Sequence, residues 1–91
     1  MNYKEFNNLD RKEKLLAIYN RALAIDSIFP WNGNLRIVKI YKLENFLIEL
    51  ECDLKTNQLT NINAFKSIDY LEKYPHHFDK IKNKITAELN K

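Results

Sequence analysis

Three apolar runs of strand length, Leu35–Leu43, Phe46–Leu54 and Leu59–Phe65, follow one another with only Glu44-Asn45 and one short polar stretch between them. Connections this brief favour antiparallel hairpins, because a parallel pairing needs a crossover of about a dozen residues or more. The middle of the chain is therefore expected to form a three-stranded antiparallel meander. Pairing Leu43 with Phe46 places Leu35, Ile37, Lys39, Tyr41 and Leu43 on one face with Phe46, Ile48, Leu50, Cys52 and Leu54. The opposite face then carries Arg36 beside Asp53 and Lys42 beside Leu47, together with Val38, Ile40, Glu49 and Glu51. Asp53–Gln58 reads as the second hairpin loop, with Asn57 suited to the left-handed conformation. Setting Asp53 opposite Gln58 sends Thr60, Ile62 and Ala64 to the second face, and Leu59, Asn61, Asn63 and Phe65 to the first.

Helical patterns flank this centre. From Asp10 to Ile28, apolar residues recur at spacings of three and four (Leu15, Ile18, Tyr19, Ala22, Leu23, Ile25), and Asp10 with Glu13 forms a capping-box pattern. Pro30 is expected to stop that helix, and Trp31-Asn32-Gly33-Asn34 to turn the chain into the first strand. Ser67 can cap a short turn, Pro75 suits the first position of a last helix, and Phe78, Ile81, Ile85 and Leu89 give that helix one apolar stripe. The expectation is a single α+β domain of order α-β-β-β-α over 10–91, with both main helices on one face of the meander and residues 1–9 as an N-terminal arm.

A chain of 91 residues allows one domain with a modest core. It contains no apolar run long enough for a membrane span or a signal peptide, and the lone Cys52 allows no intrachain disulfide, so a cytoplasmic protein is expected. Twelve lysines against three arginines, with abundant Asn and Ile, indicate AT-rich coding DNA of the kind common in bacteria, phages and mobile elements.

No residue pattern announces catalysis. As a nucleophile Cys52 would need a nearby His or helix N-terminus, but it falls mid-strand on the expected core face and reads as a small buried hydrophobe. His76 and His77 are adjacent, and on a helix they diverge by about 100°, a poor arrangement for chelating a metal. Glu49, Glu51 and Asp53 line one strand face about 7 Å apart, which reads as a solvated row rather than a cation site. One glycine cannot build a phosphate-binding loop. No enzyme activity, metal or cofactor is expected.

Two surfaces remain. On the sheet face left open by the helices, Val38, Ile40, Leu47 and Ile62 should form an apolar centre rimmed by Arg36, Glu49 and Glu51, with Trp31 as an anchor in the neighbouring loop. The expected occupant is a larger protein, such as a nucleic-acid enzyme, with a homodimer through the same face as the other. On the last helix, His77, Lys80, Lys84 and Lys91 recur on one side, with Lys82 nearby. Helix, three-strand meander, helix is also the element order of double-stranded RNA-binding domains, which set lysines of their second helix on phosphates. That likeness is one of topology. Where those domains carry a Gly-Pro-x-His-type loop and a Lys-Lys-x-Ala-Lys helix start, this chain reads Glu44-Asn45 and Pro75-His76-His77-Phe78. The expected function is a non-enzymatic protein-binding module, a stoichiometric inhibitor of the antitoxin, immunity or phage anti-defence kind such as an anti-CRISPR. The alternative is a small RNA-binding domain using His77, Lys80, Lys82 and Lys84.

Overall fold

In the computed structural model, which describes residues 1–29 and 35–89 (Leu89 by its backbone alone), a four-stranded antiparallel sheet is covered by helices on both faces. The elements are α1 (Tyr3–Asn7), α2 (Arg11–Arg21), β1 (Leu23–Ile28), β2 (Arg36–Leu43), β3 (Phe46–Asp53), β4 (Gln58–Phe65), a 3-10 segment (Ile68–Lys73) and α3 (Phe78–Leu89). The strands pair in chain order, β1-β2-β3-β4. The expected turn at 30–34 and the side chain of Trp31 lie outside the described residues, as does Lys91.

The central hairpin has the expected register, from Leu43 opposite Phe46 to Arg36 opposite Asp53. Its two-residue turn holds Glu44 at φ 52°, a left-handed conformation that an L-residue adopts at some cost. The Glu44 carboxylate is bound there by the Met1 amino group at 2.9 Å and by the Arg21 guanidinium. In the next loop Asn57 takes the left-handed conformation at φ 57°, and the Asp53 carboxylate accepts from the amides of Lys55 and Thr56.

Four expectations are corrected. The first helix ends at Arg21, where Ala22 turns extended, and Leu23–Ile28 form an edge strand against β2 rather than two more helical turns. Pairing overrides the helical period there: Ile28 meets Val38 and Asp26 meets Ile40, with the register shifting at Ile25. Residues 1–9 are no loose arm. Asn2 and Glu5 exchange capping bonds to start α1, which buries Phe6 against Phe46 at 5.9 Å between ring centroids.

The third correction concerns β4. Its register shifts at the level of Glu51 and Cys52, so that Asp53 meets Gln58 and Cys52 meets Leu59 as expected, but Glu51 meets Asn61 and Leu50 meets Ile62. Thr60 is the extra residue, and a one-residue slip sends every later side chain to the other face. Ile62 and Ala64 therefore join the first face, while Asn61, Asn63 and Phe65 move to the second.

The fourth concerns the layers. Leu43, Phe46, Ile48 and Leu50 pack with Phe6 and Ile18 beneath α1 and α2. Val38, Ile40, Leu47 and Phe65 pack with Leu71, Ile81 and Ile85 beneath the 3-10 segment and α3. Strands apolar on both faces must be covered on both, so the helices divide between them. The sheet face expected to be open is the core under α3: Val38 and Ile40 are 0% exposed.

Both sheet edges are blunted by side chains. On β4, the Asn7 amide donates to the Ala64 carbonyl at 2.9 Å and accepts from the Ala64 N–H at 2.8 Å, while Arg11 donates to the Leu59 carbonyl at 2.8 Å. On β1 the shift at Ile25 interrupts the ladder, and the Asp26 carboxylate takes the Ser27 N–H at 2.8 Å. These are the devices by which sheets avoid pairing with other chains.

Ile40→Asp is expected to abolish folding, since a buried, unpartnered carboxylate costs more than a domain this small can lose. Circular dichroism and an amide NMR spectrum check it; a folded Ile40→Asp variant would contradict the layer assignment.

Candidate functional site

Two features stand out among the described residues, a buried polar cluster and a broad apolar groove. The cluster centres on Glu49, which is 1% exposed. Its Oε1 accepts from the Tyr70 hydroxyl at 3.0 Å and the Asn61 amide at 3.2 Å, and its Oε2 accepts from the Tyr74 hydroxyl at 2.6 Å. Lys73 Nζ lies 3.0 Å from both oxygens. The Tyr70 hydroxyl in turn accepts from Lys73 at 2.8 Å and from the Asn63 amide at 3.2 Å, and the Lys73 ammonium stands 4.0 Å from the Tyr70 ring centroid.

Thr60 is what brings Asn61 and Asn63 to this face, and the one-turn spacing of Tyr70, Lys73 and Tyr74 aims all three donors at one carboxylate. Both Glu49 oxygens are hydrogen-bonded, and the network ties the segment from Tyr70 to Tyr74 to the sheet as a structural latch. Burial of Tyr74, together with its bond to the Glu49 carboxylate, pushes the phenol far above its ordinary 10.0. Burial lowers the Lys73 pKa, but its bonds to Tyr70 and Glu49 outweigh that and raise it above 10.5.

The apolar groove lies on the other face, between α2 and the β1 edge. Leu15, Leu16 and Tyr19 of α2 form one wall, Tyr41 and Leu50 the floor, and Ala22 and Ala24 leave the space where larger side chains would fill it. The groove encloses about 830 Å³, within the range of ligand clefts. Tyr19 is 88% and Leu16 51% exposed, an unusual placement for two large apolar groups on one helix. Arg11 and Lys12 stand at one end, and no acidic residue lines it.

The residues singled out from sequence are dispersed. Val38, Ile40 and Leu47 are core, Glu49 is the latch, and Ile62 lies half-buried on the opposite face. Arg36 and Glu51 do meet, at 3.4 Å, near the open end of β2 and β3, and the Thr60 hydroxyl donates to Glu51 at 2.7 Å. On α3, Lys80 and Lys82 are exposed. Lys84 pairs with Asp26 at 3.1 Å and ties α3 to the edge strand, drawing the Asp26 carboxyl below its ordinary value against the opposing effect of burial. His77 is half-buried, and its Nε2 is enclosed without a hydrogen bond. Leu15 and Tyr19 share the helical spacing read from the sequence, and the exposure of Tyr19, in the last turn of α2, has no signal in periodicity alone.

No group of three or more metal-ligating side chains converges among the described residues, and no helix among them is long and apolar enough to cross a membrane. Comparison with protein-family models, with curated proteins and with solved structures finds no match to this chain.

Two outcomes follow for the latch. Glu49→Ala strands four donors and should cost about 3–5 kcal/mol in urea unfolding, with Glu49→Gln costing less. The raised pKa values of Tyr74 and Lys73 mean that their contributions are complete below about pH 10 and are lost as pH rises beyond it. Stability should therefore fall above pH 10, less steeply in Tyr74→Phe.

Proposed function

We propose that this protein is a non-enzymatic binding module that seats an acidic, apolar segment of a larger protein in the groove beside α2, and thereby acts as its stoichiometric inhibitor. What carries the reading is the exposure of Leu16 and Tyr19 over a groove whose charged end, Arg11 and Lys12, is uniformly basic. Binding surfaces characteristically combine an apolar, aromatic centre with a charged rim, and tyrosine is prominent among binding hot spots. A basic rim selects an acidic partner.

A second copy carries the same basic end and offers no acidic residue from this groove to meet it, so an acidic segment of another protein is the better complement. The small size and AT-rich coding support a reading as an antitoxin, immunity or phage anti-defence protein, an anti-CRISPR being one such kind. RNA binding through α3 is the weaker reading, because Lys84 is engaged by Asp26.

The test is a tagged pull-down from host lysate, followed by reconstitution with the purified captured protein. A one-to-one complex is expected. Tyr19→Ala should weaken it by about 2 kcal/mol, roughly thirtyfold in Kd, and Tyr19→Asp should abolish it while leaving the amide NMR spectrum folded. Capture unaffected by Tyr19→Asp and Leu16→Glu would sink the proposal. So would a wild-type dimer, seen by sedimentation, that Tyr19→Asp disperses.

A further inference from the structure

A second depression lies on the opposite side of the sheet, where the end of the β2–β3 hairpin meets α3. Its apolar lining comes from Leu47, Ile68 and Ile85, and three lysines stand around it: Lys42 from β2, Lys66 from the link after β4, and Lys82 from α3. The space is about 280 Å³, and no acidic residue is among those that line it.

Three separate elements thus bring like charges to one small cavity. Lys42, Lys66 and Lys82 make no ion pair among the described residues, whereas Lys73 and Lys84 each have a carboxylate within 3.1 Å. Glu44, the acid nearest in sequence to Lys42, is engaged by Met1 and Arg21. An anion placed among three ammonium groups that lack a carboxylate partner among the described residues gains charge-assisted bonds from each.

We infer that this cavity binds a small soluble phosphate monoester with an apolar substituent, the phosphate held by Lys42, Lys66 and Lys82 and the substituent resting on Leu47, Ile68 and Ile85. Three ammonium groups exceed what a single carboxylate neutralises, and they suit a dianion. The apolar lining gives the substituent a hydrophobic seat that a bare phosphate cannot use. The enclosure suits one phosphate rather than a strand of them, which separates this site from a nucleic-acid track. It stands independently of the α2 groove, on the other face of the sheet.

Phenyl phosphate and inorganic phosphate, titrated separately into the uniformly ¹⁵N-labelled full chain and followed by amide NMR, are the test. Phenyl phosphate should shift the amides of Leu47, Ile68 and Ile85 in a saturable way and bind about tenfold more tightly than inorganic phosphate. Lys66→Gln and Lys82→Gln are surface changes that keep the spectrum folded. Each should weaken phenyl phosphate about three- to tenfold, and together they should abolish the shifts.

Absence of saturable shifts at these amides would overturn the inference, as would shifts that survive the double change. Equal affinity for inorganic phosphate would remove the apolar half of the site and overturn it likewise. An oligouridylate that binds more tightly than phenyl phosphate, with shifts spreading along Lys80 and Lys84, would replace it with an RNA surface. Loss of groove binding in Tyr19→Asp leaves all these outcomes unaffected.

Discussion

A carboxylate buried in the face of a sheet is tolerable only if donors surround it, and the position of Glu49 at the centre of β3 imposes that requirement on half the molecule. Tyr70, Lys73 and Tyr74 can reach it only if the segment after β4 coils tightly over the sheet, and Asn61 only if β4 has shifted by a residue. The 3-10 segment is thereby anchored, Phe65 stacks on Tyr70 at 4.4 Å, and α3 is delivered across Val38 and Ile40 toward β1. An apolar residue at position 49 could pack with as much favourable energy, but it would not dictate where the C-terminal third goes.

The second constraint is that β2 and β3 are apolar on both sides. A single helical layer would leave one of those sides wet, and among the described residues two helices of substantial length, α2 and α3, are divided between them. Each face is consequently covered once and thinly. α3 lies toward the β1 side of its face, where Lys84 holds Asp26, and α2 stands off the edge where Ala22 and Ala24 supply little bulk. The two cavities are therefore by-products of economy in covering a two-sided sheet, one ending up apolar with a basic end and the other ringed by lysines. Because Asn7, Arg11 and Asp26 occupy backbone groups along the sheet edges, strand addition at those edges is disfavoured.

The sequence was most readable where geometry is local. Glu44-Asn45 leaves the central hairpin one sensible register, and alternation from Arg36 to Asp53 confirms it without outside help. Asp10 and Asn57 were equally plain, since a cap and a left-handed turn depend on near neighbours. What depends on distant partners was hidden. Leu23, Ile25 and Ile28 continue a helical spacing well enough that only pairing with β2 reveals a strand. The extra residue at Thr60 leaves no mark in composition, yet it exchanges the faces of Ile62 and Asn63. Glu49 reads from sequence as one of three solvated acids because three of its four donors arrive from more than twenty residues further on. The candidate site was misplaced for the same reason: a face judged open by its alternation was closed by a helix whose destination the alternation does not encode.

The order in which the chain emerges from a ribosome adds a consequence to the two-sided sheet. Everything needed for the first layer, from Phe6 and Ile18 to Phe46 and Ala64, is synthesised before the first residue of α3. With each strand paired to its neighbour in sequence, the meander and its layer of α1 and α2 can form without contacts from α3. Until Ile81 and Ile85 appear, however, Val38, Ile40 and Leu47 have no cover from α3. Any form of the chain in which α3 is undocked would bare an apolar sheet face that the folded protein buries, and that is the surface a holdase chaperone would recognise.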